Sequence, residues 1–186
     1  MTDRDRLMAL LVARSMRLGD FTLASGARST YYIDARATTM SAKGQRLVGL
    51  VAHALIEERG LKPTHVGGLT LGADPVAYAI AHRSALEGGR PIDGFTVRKR
   101  TKDHGTEQRI EGGLPAKAKC LIVEDTITTG KSTLEAVEAV RSLGATIVGV
   151  LALVNRSAGA EAFYEGQGLP LLSVFTGEEL LKAAGG

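Results

Sequence analysis

The chain has 186 residues, is 44% hydrophobic and carries a formal net charge of +3. That length suits one domain with a full core, and so small a charge gives no ground to expect a nucleic-acid partner. Cys120 is the single cysteine, which excludes an intrachain disulfide framework and a cysteine-based zinc site. No apolar run is long enough to span a membrane, and the first residues, MTDRDR, are charged. The expectation is one soluble, cytoplasmic domain over 1–186 with no membrane partner.

Asp3 to Leu18 reads as an amphipathic helix, with Leu7, Leu10, Leu11 and Arg14 spaced by turns and Gly19 as its stop. Phe21 to Asp34 changes period. Phe21 and Leu23 share one side of a short strand, Ser25-Gly26 supplies a turn, and Ser29 to Asp34 alternates again. This hairpin precedes any βαβ unit, so it is expected outside the main sheet as a small cap. Alternation puts Tyr31 and Tyr32 on opposite faces: one is expected to pack, the other to face a site.

Ser41 caps a helix to about Arg59, with Leu47, Leu50, Val51 and Leu55 on one stripe. His65 to Leu69 is a short strand. Thr70 to Asp74 is a glycine-bearing loop, and Pro75 suits the first turn of a helix that runs to about Leu86. Tight-turn glycines alone would also explain that loop. Gly88-Gly89 breaks the chain, and Ile92 to Val97 is a strand. Arg98 to Gly112, RKRTKDHGTEQRIEG, is polar throughout. Such a run is commonly a solvated surface. Here Arg98, Lys99, Arg100 and Lys102 crowd next to a strand end, as a lid over a polyanion requires, and a connection this long in a compact α/β domain is commonly functional. His104, beside Gly105, is a possible donor or proton carrier in that lid. His53, His65 and His82 are read as structural.

Cys120-Leu121-Ile122-Val123 has the pattern of a strand buried on both faces. It runs into Glu124 and Asp125, then Thr126, Thr128, Thr129, Gly130, Ser132 and Thr133. A helical stripe at 134, 137, 140 and 143 follows, with Gly144 as its stop. Ligands of open α/β sheets bind at such strand ends. Hydroxyls, a glycine and the N–H groups of a helix N-terminus make a cradle for a phosphate monoester. The carboxylates repel a phosphate and suit sugar hydroxyls or a cationic carbon. A Walker P-loop is excluded, because it needs glycine where Asp125 stands, and Gly67, Gly68 and Gly72 do not have the G-x-G-x-x-G spacing. Thr146 to Val154 is the next strand, ending in Asn155-Arg156-Ser157. Arg156 is either a surface arginine or a cation placed at a site. Glu161 to Tyr164 reads as helical, Leu171 to Phe175 as a last strand and Gly177 to Ala183 as a terminal helix.

Val123 to Ser132, VEDTITTGKS, resembles the phosphoribosyl-diphosphate (PRPP) motif of type I phosphoribosyltransferases. Three further segments, FTLASG with Ser29 and Tyr31-Tyr32, GGLTLGADP, and Arg98-Lys99 with Lys102 and His104-Gly105, extend the likeness to the orotate phosphoribosyltransferases over essentially the whole chain. The resemblance implies an α/β, type I phosphoribosyltransferase fold: a central, mainly parallel sheet flanked by helices, with a hood from 1–40 and the C-terminal end. It implies that orotate N1 displaces pyrophosphate from C1 of PRPP, giving orotidine 5′-monophosphate for pyrimidine biosynthesis, with Mg²⁺ held mainly on the diphosphate and not directly by the protein. Glu124 and Asp125 would hold the ribose hydroxyls near an oxocarbenium-like charge. Thr126, Ile127, Thr128, Thr129, Gly130, Lys131 and Ser132 would hold the 5′-phosphate. Arg98, Lys99, Lys102 and His104 would cover the diphosphate from the neighbouring subunit of a homodimer, with Lys102 and His104 catalytic beside Asp125 and Glu124. Thr128, Arg156, Tyr32 and Ile33 would meet orotate. Many members carry lysine where Ala24 stands and tyrosine-lysine at Thr70-Leu71. A purine phosphoribosyltransferase and a PRPP-sensing regulator share the motif and are the rival readings.

Overall fold

The computed structural model describes residues 1–22, 26, 28–99 and 109–185. Ser25 and the expected lid residues Arg100, Lys102, His104 and Gly105 lie outside the described residues, as do Leu23 and Ala24.

Helix α1 (Asp3–Ser15) opens with a capping box: Thr2 Oγ1 accepts from the Asp5 N–H at 3.1 Å, and Asp5 Oδ2 accepts from the Thr2 N–H at 2.8 Å. The helix stops three residues short of the expected Leu18. The Ser15 carbonyl accepts from Asp34 N–H and the Ser15 and Thr38 hydroxyls are bonded at 2.7 Å, so the chain leaves the helix to pair with residues distant in sequence. Met16 to Leu18 instead begin strand β1 (Met16–Thr22), antiparallel to β2 (Arg28–Ile33) with Met16 opposite Ile33. This two-stranded sheet is separate from the main one, where the hairpin was expected to stand.

A short helix α2 (Arg36–Thr39), not anticipated, leads to α3 (Ala42–Glu58), whose N-cap is Ser41. Then follow β3 (His65–Leu69), α4 (Ala73–Leu86), β4 (Asp93–Val97), β5 (Ile110–Glu111), β6 (Lys119–Ile127), α5 (Lys131–Ser142), β7 (Thr146–Asn155), α6 (Ala160–Gly166), β8 (Leu171–Thr176) and α7 (Gly177–Ala183). The six-stranded sheet has order β5-β4-β3-β6-β7-β8, parallel except for β5. Residues 110 and 111 of the expected lid are therefore a strand edge, with Ile110 opposite Val97.

Cys120, Leu121, Ile122 and Val123 are all fully buried, as the apolar run predicts. Alternation sends Leu121 and Val123 into the core formed with α1, α3 and α4, and Cys120 and Ile122 into the core formed with α5 and α6. The buried face of α5 is Thr133, Ala136, Val137 and Val140. The stripe read from the sequence was off register: Leu143 is exposed, and only 137 and 140 lie inward. Among the described residues no helix is long and apolar enough to cross a membrane.

Candidate active site

At the carboxyl ends of β3, β6 and β7 a cleft of about 720 Å³ opens between the main sheet and the chain that follows β2. Glu124, Asp125, Thr126, Thr128, Thr129, Lys131, Ser132, Lys99, Tyr32, Ile33 and Arg156 all line it. These residues were singled out on separate segments, and folding brings them to one place. Arg98 is not in the lining. It pairs with Glu111 at 3.2 Å, and its backbone N–H donates to the Arg109 carbonyl across the β4–β5 edge. The Ile127 side chain is buried in the core and outside the cleft, so only its backbone could serve a ligand.

Strand β6 continues through Glu124, Asp125 and Thr126 to Ile127, so the carboxylates stand on a strand and not in a loop. Adjacent strand residues face opposite sides of a sheet. Glu124 turns to α5, where Ser132 Oγ donates to its Oε2 at 2.7 Å and Thr133 Oγ1 does so at 3.3 Å. Asp125 turns to the loop after β3. A Cβ on Gly72 would stand 2.6 Å from Asp125 Oδ1, so that loop can lie against the carboxylate only with glycine there. The two acids thus reach the cleft from opposite faces of one strand, which assigns them different partners.

Both carboxyls are pushed up in pKa. Burial raises Glu124 from its ordinary 4.5 to about 7, the Ser132 hydroxyl opposes this, and the neighbouring Asp125 adds to it. Burial also raises Asp125, opposed by the Thr126 N–H, which donates to Oδ1 at 2.8 Å, and by the nearby Arg36 charge. Two acids held above their usual range in one cleft are a common sign of a functional site.

Thr128 and Thr129 are exposed, and Gly130, at φ +73°, turns the chain into α5. That helix has no side-chain cap, so its first N–H groups are left to water or to an anion. Lys131 adds a cation at the rim.

Arg156 emerges where β7 ends, its own N–H held by the Ile127 carbonyl at 2.9 Å. Its Nη2 donates to Ser29 Oγ at 3.2 Å and to the Tyr31 carbonyl at 3.3 Å, and its guanidinium stacks on the Tyr31 ring at 4.4 Å. Its Nε is buried without a hydrogen-bond partner. The hairpin therefore orients a donor into the cleft. Tyr31 packs against the core while Tyr32 is exposed beside Phe21 and lines the cleft, which is the division alternation predicts.

Sequence reasoning missed Asp34 and Arg36, which also line the cleft. Asp34 grips Arg36 through Nε at 2.8 Å and Nη2 at 3.1 Å, a two-pronged pair that holds the Asp34 pKa down. The i, i+2 charge pair after the Tyr31-Tyr32 alternation was the available signal. Leu71 is exposed at the cleft, and Arg36 stands in the same lining. Behind Leu71 the loop is pinned: Thr70 Oγ1 donates to Asp74 Oδ2 at 2.6 Å and Thr96 Oγ1 to Asp74 Oδ1 at 2.9 Å.

Residues 41–166 match the family model of the phosphoribosyl transferase domain. The chain is 42% identical over 184 residues to the orotate phosphoribosyltransferase of Aquifex aeolicus (strain VF5), covering 97% of this chain and 99% of that protein. It is 45% identical over 168 residues to that of Mycobacterium avium (strain 104), covering 90% of each. The chain belongs to the orotate phosphoribosyltransferase family. The crystal structure of the Mycobacterium tuberculosis H37Rv orotate phosphoribosyltransferase in complex with PRPP superposes with a TM-score of 0.80 at 40% identity, covering 96% of this chain and 99% of that one. The fold is accordingly that of the type I phosphoribosyltransferases, a mostly parallel sheet between helices. Within an orotate phosphoribosyltransferase, the acids of β6, the open N-terminus of α5 and Arg156 surround one cleft, and each offers a different chemistry to a ligand.

Proposed function

We propose that this cleft transfers the ribose 5-phosphate of PRPP to N1 of orotate, giving orotidine 5′-monophosphate and pyrophosphate in pyrimidine biosynthesis. The observation that carries the reading is the opposition, across one cleft, of an anion-binding helix start and a carboxylate pair, with Arg156 oriented beside them. A phosphorylated ribose meets the first two. A base that carries a carboxylate meets the third.

The 5′-phosphate is received by the N–H groups of 128–132 and the exposed hydroxyls of Thr128 and Thr129, while the Ser132 hydroxyl stays on Glu124. The bond from C1 to the diphosphate oxygen breaks, and its electron pair leaves with pyrophosphate. The bond from orotate N1 to C1 forms. Positive charge grows on the ribose ring between these events. Glu124 and Asp125, fixed on β6, hold the ribose hydroxyls and in their ionised forms stabilise that charge electrostatically. The Arg156 guanidinium, held in place through Nη2, orients orotate through its carboxylate, with Thr128, Tyr32 and the Ile33 segment as walls.

Lys99 and Arg36 stand in the cleft as cations for the diphosphate, and Arg98, Lys102 and His104 join them by family likeness. In the homodimer that this reading includes, Lys102 and His104 serve the neighbouring subunit. Magnesium fits the donors present as an ion carried by the substrate. Mg²⁺ is commonly bound through substrate phosphates and one or two carboxylates, so it would enter with the diphosphate of PRPP. When bound, it neutralises charge on the leaving diphosphate. The reading places the enzyme in the cytoplasm.

Substitution of Arg156 by alanine tests the base assignment. Loss of a charge-assisted hydrogen bond of about 1.5–3 kcal/mol should raise the Michaelis constant for orotate about 10- to 100-fold and leave that for PRPP nearly unchanged. Lysine should restore it only in part, because it lacks the planar fork. An unchanged orotate constant, or a raised PRPP constant instead, contradicts Arg156 as the base-reading residue.

A further inference from the structure

Behind the phosphate loop lies a buried group that the reaction as described does not use. Tyr164, on α6, is fully buried, and its hydroxyl has no hydrogen-bond partner of good geometry. A buried phenol usually finds one. The hydroxyl lies directly under Gly130: a Cβ added there would stand 2.7 Å from it. Burial raises its pKa, the neighbouring Thr133 hydroxyl opposes this and the charge of Glu124 adds to it. Thr133 Oγ1 in turn donates to Glu124 Oε2.

We propose that Tyr164 is a positioning residue for PRPP binding, acting through a buried relay, completed as PRPP binds, in which its hydroxyl donates to Thr133 Oγ1 and Thr133 donates to Glu124. The relay rests on the reading of the cleft given above. A hydroxyl has one proton and two lone pairs. With Tyr164 occupying a lone pair of Thr133, the Thr133 proton is directed at Glu124 Oε2, beside that of Ser132. Oε2 is then held twice, and Oε1 is left for a ribose hydroxyl. The same phenol supports Gly130 from below, so the phosphate loop and the ribose-holding acid share one anchor on α6.

The test is Tyr164→Phe, which keeps the ring and its edge contact with Phe163 and removes only the hydroxyl. Loss of one hydrogen bond in the relay should raise the dissociation constant for PRPP, read by calorimetry, and its Michaelis constant about 3- to 10-fold, with the orotate constant unchanged. The melting temperature of the ligand-free chain should not fall, because a buried hydroxyl without a partner costs folding free energy and does not supply it. Thr133→Ser should behave as the parent, and Thr133→Val as Tyr164→Phe or worse. The double variant Tyr164→Phe/Thr133→Val should be no weaker than Thr133→Val alone, since both cut one chain. An unchanged PRPP constant in Tyr164→Phe overturns the relay, as does full additivity in the double variant. A lowered melting temperature with equal loss toward both substrates marks a packing role and also overturns it. If the parent chain itself binds no PRPP, the reading of the cleft fails and the relay with it. If the parent binds PRPP and Tyr164→Phe binds it equally, the relay alone fails.

Discussion

Glu124 carries the clearest consequence at the scale of single residues. Burial raises its pKa from 4.5 to about 7, so the folded chain holds a proton there over a range where the unfolded chain has lost it. Stability therefore falls as pH rises from about 4.5 to 7, the reverse of a salt-bridged acid. Glu124→Gln removes that slope. Measured against the variant, the melting temperature of the ligand-free parent should decline across this window and be flat outside it; parallel curves would contradict the assignment. Turnover has the opposite trend, because the ionised form is the one that stabilises a cationic ribose. Sequence alone identified Glu124 and Asp125 but treated them as one pair in a loop. Strand β6 runs on to Ile127, and a period of two then separates the acids onto opposite faces. That split was implicit in the sequence once the strand's end was known. Tyr164 was not legible, since it earns its place beside residues far away in the chain, and the local Asp34–Arg36 charge pair gave no sign that it would stand in the cleft.

Among the elements, the turn into α5 is the part whose geometry most constrains the sequence. Gly130 sits at φ +73°, which costs an L side chain about 1–2 kcal/mol, and Tyr164 fills the space a Cβ would need. Gly130→Ala should lower stability by at least that amount and weaken PRPP more than orotate, as substrate constants and thermal unfolding would reveal. Equal weakening of both substrates, or none, would show that the turn is not the phosphate cradle. The units built on local signals were read well from sequence. Ser41 caps α3, Pro75 lies in the first turn of α4, and β3 and α7 have the bounds that pattern and turn residues gave. Elements whose limits depend on distant pairing were not. The end of α1 is set by Ser15, Thr38 and Asp34, and β5 exists because Ile110 and Glu111 meet β4. The α5 stripe was off register because Thr133, a polar residue, is one of its buried positions, held inward by Glu124.

For the whole molecule, the hairpin, the sheet edge and the α4 loop converge on one cleft, and the homodimer reading adds a lid from a second chain. Asp125→Asn should lose about 10²–10³ in turnover, as for loss of one electrostatic partner at comparable sites. Lys102→Ala should also be impaired. Mixed and allowed to exchange subunits, the two variants should regain part of the activity, because one site of a mixed dimer has both residues. A mixture that stays inactive despite proven exchange contradicts a lid that acts across subunits.

The central claim is that this cleft joins PRPP to orotate and not to another base. It is tested most directly by pyrophosphate release from PRPP with Mg²⁺ and the unmodified chain, supplied in turn with orotate, uracil, adenine and hypoxanthine. Arg156, held by Ser29 and Tyr31 in the lining of the cleft, favours a base that carries a carboxylate. The account predicts release with orotate, matched by its consumption, and little with the other three. Release driven by a purine, with orotate inert, would contradict it.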